Sequence, residues 1–400
     1  MSDSAPIIVP KGFRAAAVKS GVKPSGSLDL ALLVADGPRS AAGTFTTNRV
    51  CAAPVRWSRR HVPADDARAV VINAGNANAA TGAQGEENVR RTAELCAALV
   101  GCEPRQVLVA STGVIGHQLP MDRIEAGLKA AFGGLSADPE SFDAASRAIL
   151  TTDTRPKVVS LTHGEGERAF SLLGFAKGAA MIGPRMATML AFLLTDAPIR
   201  AVELQPILTE AVEESFNCVS VEGHTSTNDS VFLLGGGAPG RRGLDGDELK
   251  AFAGMARSAC QTLGREMAAD GEGATHLITI DVEGCSDREE ARSLARAVAD
   301  SPLVKTAIHG ADPNWGRIVS AAGYAGVPFE EGELSLWINE VPVYSRGTPN
   351  PFDAAALSAD LRANREVHLR LRFERGDSSI RFWTCDLTAE YVRLNADYTT

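Results

Sequence analysis

An uninterrupted apolar run, Met189 to Leu194, has the length and composition of a strand buried on both faces. Thr195-Asp196-Ala197-Pro198 closes it, and Gly178, Gly183 and Pro184 break any regular pattern before it. The pattern predicts that Thr188 stands where a glycine- and proline-containing loop enters the strand. If the Ala187-Thr188 bond were cut, Thr188 would become a chain terminus with its own base, the α-amine, beside its hydroxyl. Threonine is at home in strands, so its position taken alone is explained by structure.

Short strand patterns alternate with amphipathic helices, which makes the class α/β or α+β. Strands are expected at 69–73, 107–110, 169–175, 277–282, 334–338, 341–344, 367–373 and 379–384. Helices are expected at about 86–100, 121–132, 140–150, 201–216, 247–268, 286–299 and 352–363, the fifth opening at Asp247. The part after 285 reads as a smaller α/β unit, so 1–285 and 286–400 are the expected domains.

A chain of 400 residues with 44% hydrophobic and 22% charged residues has material for one large core and a smaller one. Its net charge of −9 argues against a nucleic-acid surface, since basic clusters such as Arg241-Arg242 are too short to reverse it. No apolar run approaches the roughly 20 residues of a membrane span. Met1-Ser2-Asp3-Ser4 lacks the features of a signal peptide, so a cytoplasmic location is expected. The seven cysteines form no C-x-x-C and have no histidine pair at ligand spacing, and read as reduced core thiols. With no H-E-x-x-H, no metal is expected.

Several short segments carry groups that suit chemistry. Ser111-Thr112-Gly113 follows a strand and can offer donors to an oxyanion, though on its own it reads more simply as a hydrogen-bonded turn. Asn73 to Gly82 offers three amides on a glycine-containing loop, without either phosphate-binding glycine spacing, and Gly235 to Gly240 fails the same test. Thr151-Thr152-Asp153-Thr154, Thr225 to Ser230 and Asp312 to Arg317 individually read as turns and caps. Asp270-Gly271-Glu272-Gly273 puts a carboxylate on a glycine hinge after a helix.

Taken together and in order, these segments resemble a known family. Lys11 to Ala16, Thr46-Thr47-Asn48, Gly75 to Ala79, Ser111 to Gly116, Thr151 to Thr154, Met186 to Phe192, Thr225 to Asp229, Gly310 to Arg317 and Asn395 to Tyr398 are similar to the ornithine acetyltransferase family, the bifunctional ArgJ proteins and glutamate N-acetyltransferases. The resemblance implies an α/β/β/α sandwich like that of N-terminal-nucleophile hydrolases, with a smaller C-terminal α/β domain whose tail returns to the active site. It implies self-cleavage between Ala187 and Thr188 into an α chain of 1–187 and a β chain of 188–400, assembled as an α2β2 heterotetramer.

The implied reaction moves an acetyl group from N2-acetyl-L-ornithine to L-glutamate through an acetyl-threonine, in arginine biosynthesis. Thr188 is the implied nucleophile, and Thr112 and Gly113 form the oxyanion hole. Thr151, Lys177, Thr188, Glu272, Asn395 and Thr400 are the implied substrate contacts, with Thr151 chosen over Thr152. No cofactor is implied, although some family members also take acetyl-CoA as a donor. An amidase or aminopeptidase of the same type would resolve the acyl-enzyme with water, and a binding protein would lack the nucleophile. The chain departs from the family's usual pattern at Ala179-Ala180, Arg185, Glu222-Gly223-His224 and His309.

Overall fold

The computed structural model describes residues 6–183, 189–236 and 242–397, apart from the Glu167 side chain. Ala187, Thr188 and Thr400, together with Arg185, lie outside the described residues. The strands in chain order are β1 Phe13–Val18, β2 Leu30–Phe45, β3 Ala64–Asn76, β4 Val107–Val114, β5 Lys157–His163, β6 Phe170–Lys177, β7 Leu190–Thr195, β8 Val219–Ser220, β9 Ser230–Gly235 and β10 Leu277–Cys285. Five more follow, β11 Ser335–Ile338, β12 Val341–Ser345, β13 Thr348–Pro349, β14 Glu366–Arg372 and β15 Ser378–Cys385. The helices are α1 Ala53–Arg59, α2 Gly82–Val100, α3 Met121–Gly133, α4 Pro139–Ala148, α5 Ala201–Glu213, α6 Gly246–Ala269, α7 Arg288–Ala299, α8 Pro302–His309, α9 Trp315–Gly323, α10 Ala354–Ala363 and α11 Ala389–Asp397.

The first sheet runs β4-β3-β2-β9-β7-β6-β5, with β1 against β2. It makes two stacked layers because β2 belongs to both. The first half of β2 pairs with β1 and β3, and the second half pairs with β9, with the register shifting around Asp36-Gly37-Pro38. A proline cannot donate to a sheet ladder, and here it sits at that irregularity.

Alternate residues of these strands enter different cores. Leu33, Ile72 and Leu108 face Phe175, Phe192 and Phe232 in a core between the two strand layers. Leu32, Val71 and Val109 instead meet α2 and α3 on one outer face. Leu172, Ala191 and Leu193 meet α5 and α6 on the other. Both faces of each layer are thus buried, which explains why β7 reads as an unbroken apolar run. The order helix, sheet, sheet, helix is the sandwich that the resemblance implied.

The second sheet has the order β13-β12-β11-β14-β10-β15-β8. It shares one core with α5, α6 and the helices α7 to α10. Strand β10 is paired on both sides, to β14 and to β15, so this sheet takes in residues before the expected division at 285/286. Among the described residues no helix is long and apolar enough to cross a membrane.

Several elements differ locally from expectation. α2 begins at Gly82, α6 opens one residue earlier with Asp245 as its cap, and β4 continues through Ser111-Thr112-Gly113. That triplet is strand because it pairs in parallel with Asn73-Ala74-Gly75 of β3. The polar run at Asp312 to Arg317 starts α9, with the Asn314 side chain accepting from the Arg317 N–H at 3.2 Å. All seven cysteines are free, five of them buried.

Candidate active site

One cavity is lined by Thr112 and Gly113 at the end of β4, Thr151 and Thr152 after α4, Lys177 at the end of β6, Ser226 to Asn228 before β9, Glu272 after α6, and Asn395 on α11. Six of the eight substrate and oxyanion residues expected from the sequence therefore meet in one place. The other two, Thr188 and Thr400, lie outside the described residues. Thr151 and Thr152 both reach the cavity wall.

The β3–β4 end is shaped by backbone constraints. Gly113 has φ +129°, and a Cβ there would lie 2.3 Å from the Gly75 carbonyl carbon, so only glycine lets the two strands approach this closely. The amides at the end of β3 and in the loop after it hold it in shape. Asn73 Oδ1 accepts from the Ser111 hydroxyl at 2.6 Å, Asn76 Oδ1 from the Asn78 N–H at 2.8 Å, and Asn78 Nδ2 donates to the Gly85 carbonyl at 3.0 Å. Asn228 Nδ2 donates to the Ala77 and Ser111 carbonyls at 2.6 and 2.8 Å, tying the 225–230 segment to the strand that carries Thr112.

Lys177 is 2% exposed, with Nζ 3.5 Å from the Thr112 hydroxyl and 4.0 Å from Asp153. Burial lowers its pKa, opposed mainly by Asp153. Asp153 accepts from Lys157 at 2.6 Å, from the Gly178 N–H at 2.6 Å and from the Thr151 N–H at 3.2 Å. Burial pushes its carboxyl up, but Lys177, Lys157 and the Gly178 N–H outweigh that and hold it below the ordinary value. Lys157 also pairs with Asp270 at 2.5 Å, and Asp270 accepts from the Thr154 N–H and hydroxyl. This buried network binds the 151–154 turn to the end of α6. Two residues further on, the Glu272 N–H donates to the Ala179 carbonyl at 2.9 Å, and its carboxylate accepts from Asn395 Nδ2 at 2.9 Å.

The chain is anchored on both sides of residues 184–188. The Ile182 carbonyl accepts from the N–H groups of Val221, Glu222 and Gly223 at 2.7, 3.2 and 3.1 Å. On the other side, Asp229 accepts from the Met189 N–H at 3.0 Å. Asp229 is wholly buried, and burial pushes its carboxyl up to about 7 against the pull of Met189, the nearby Ser226 and Thr46 hydroxyls and Lys177. Burial likewise raises Glu222 to about 8.

Asp153, Asp229 and Asp270 fall inside runs noted in the sequence but carry no individual role there, and Lys157 stands outside all of them. Asp153 and Lys157 share an i, i+4 spacing that could have flagged them, but Asp270 lies more than a hundred residues away, and each polar run reads by itself as a turn.

The profile of the ArgJ family matches residues 14–400 of this chain. The arginine biosynthesis bifunctional protein ArgJ of Rhodopirellula baltica is 45% identical over 410 aligned positions, covering 100% of both chains. The protein of the same name from Dehalococcoides mccartyi is 45% identical over 98% of this chain and 97% of its own. A crystal structure of the arginine biosynthesis bifunctional protein ArgJ from Bacillus halodurans matches with a TM-score of 0.50 and 36% identity, covering 52% of this chain and 98% of its own.

Proposed function

The chain belongs to the ArgJ family, and from that membership we propose that it moves an acetyl group from N2-acetyl-L-ornithine to L-glutamate, in arginine biosynthesis, with Thr188 as nucleophile. The observation that carries the reading is the cavity that joins Thr112 and Gly113 to Thr151, Lys177, Glu272 and Asn395. A cation and a carboxylate in one pocket suit an amino acid. Lys177 pairs with the α-carboxylate, and Glu272, held by Asn395, takes the side-chain ammonium of ornithine. Thr400 completes the substrate contacts.

Cleavage of the Ala187-Thr188 bond happens once, before the first turnover. The freed α-amine, with a reference pKa of about 7.7–8.0, is suited to act as a base near neutral pH. It takes the proton of the Thr188 hydroxyl as the oxygen attacks the acetyl carbonyl. Thr112 and Gly113 receive the oxyanion. Collapse breaks the amide C–N bond, the proton passes to the leaving nitrogen, and ornithine departs from acetyl-Thr188. The amine of glutamate then attacks the ester by the reverse path and restores the hydroxyl.

The Bacillus halodurans chain is covered almost whole yet spans only about half of this one, the share that a β chain of 188–400 would have. The reading includes an α2β2 assembly in the cytoplasm and no cofactor. Acetyl-CoA as a second donor is tested by offering it with glutamate and no acetylornithine. An amidase would pass the acyl group to water, whereas the charged walls of this cavity favour an amino-acid acceptor. The test is an exchange assay on wild type and Thr188→Ala: acetylglutamate and ornithine should form in equal amounts with the wild type and fall at least about 10³-fold in the variant. Normal exchange by Thr188→Ala would refute the proposal.

A further inference from the structure

Met189, the residue that follows Thr188, is held at both of its backbone polar groups by two consecutive residues. Asp229 Oδ1 accepts its N–H at 3.0 Å, and the Ser230 N–H donates to its carbonyl at 3.3 Å. The same segments continue as the parallel pair β7 and β9, with Leu190 opposite Ser230. The Asp229 carbonyl accepts from the Thr46 N–H at 3.0 Å, and its neighbour Asn228 is bonded to Ser111, next to Thr112. One short run of chain therefore connects the residue beside the nucleophile to the strand that carries the oxyanion residues.

Asp229 is an expensive way to hold an amide. Its side chain is wholly buried, and Oδ2 has no hydrogen-bond partner among the described residues. A buried carboxylic group left half-satisfied works against folding, and an apolar residue of similar size would avoid that penalty.

We propose that Asp229 is a positioning residue: by fixing the Met189 N–H it sets the nucleophile against Thr112 and Gly113 for both self-cleavage and acetyl transfer. The proposal rests on the reading of Thr188 as nucleophile. A displacement of about 1 Å in a reacting group costs on the order of 10²-fold in rate, so loss of the clamp should appear in kcat rather than in KM.

The test uses the full chain and two variants of nearly the same size. Asp229→Asn keeps an oxygen acceptor for Met189, and Asp229→Leu removes it. The measurements are conversion of precursor to two chains over time, kcat and KM for acetylornithine after processing, and the melting transition. Expected are a loss under about tenfold in cleavage and kcat for the Asn variant, and a folded Leu variant slowed about 10²-fold in both with KM within about twofold. A folded Leu variant with wild-type rates overturns the proposal, as does an Asn variant that falls as far as the Leu one. If the Leu variant does not fold, Asp229→Ser, too short to reach Met189, replaces it under the same criteria. A wild-type chain that never cuts before Thr188 would instead remove the nucleophile reading, and the wild-type control reports that separately.

Discussion

Glu222 stands near the site with both carboxyl oxygens buried and without hydrogen-bond partners among the described residues. Burial is the main cause of its rise from 4.5 to about 8, with the nearby Ile182 backbone and then Lys305 pulling the other way. Between those two values the folded protein holds a proton that the unfolded chain has released, so rising pH favours unfolding there by at most about 1.4 kcal/mol per pH unit. Glu222→Gln should therefore be more stable than the wild type at pH 8, with the gain fading towards pH 5, as measured by urea unfolding across that range. Equal pH dependence in both proteins would show that Glu222 is not the titrating group. At this scale the sequence exposes Thr112, Gly113, Lys177, Glu272 and Asn395, because each sits in a short motif whose order is informative. It hides Asp229 and Asp270, whose partners come from distant segments and whose own neighbourhoods look like turns and caps.

Among the elements, β7 and β6 are legible because strands covered on both faces carry long apolar runs, and β10 because Ile278, Ile280 and Val282 alternate with polar residues. β2 is not, since Asp36-Gly37-Pro38 looks like a turn between two elements and is instead the place where one strand passes between layers. β5 alternates weakly, and its first residue, Lys157, is a buried charge rather than an apolar one. That lysine joins β5 to the end of α6 through Asp270 and to the 151–154 turn through Asp153. Removing a single partner from a buried ion pair leaves the remaining charge uncompensated and costs about 3–5 kcal/mol. Lys157→Met should lose stability of that order in chemical denaturation, and its KM for acetylornithine should rise as the Asp153 and Glu272 segments loosen. A loss under about 1 kcal/mol would mean that the network contributes little. Asp153, held below its ordinary pKa of 3.8, contributes stability above that pH and loses it as pH falls through its lower folded value.

On the scale of the whole molecule, the class and the four-layer order follow from pattern and resemblance, whereas the reach of the second sheet does not. β8 and β10 precede residue 286 yet pair within it, since strand pairing joins segments far apart in the sequence. The site depends on that long-range closure. Segments near residues 112, 151, 177, 227, 272 and 395 reach one cavity, and α11, which has no buried residue, brings Asn395 to it. The account stands or falls on cleavage before Thr188, because an uncut threonine has no free α-amine to serve as its base. The most direct measurement is the intact mass of the purified protein taken alongside its exchange activity. The account predicts two chains divided between Ala187 and Thr188, with activity rising as they appear. A single intact chain of 42.0 kDa with full activity would contradict it.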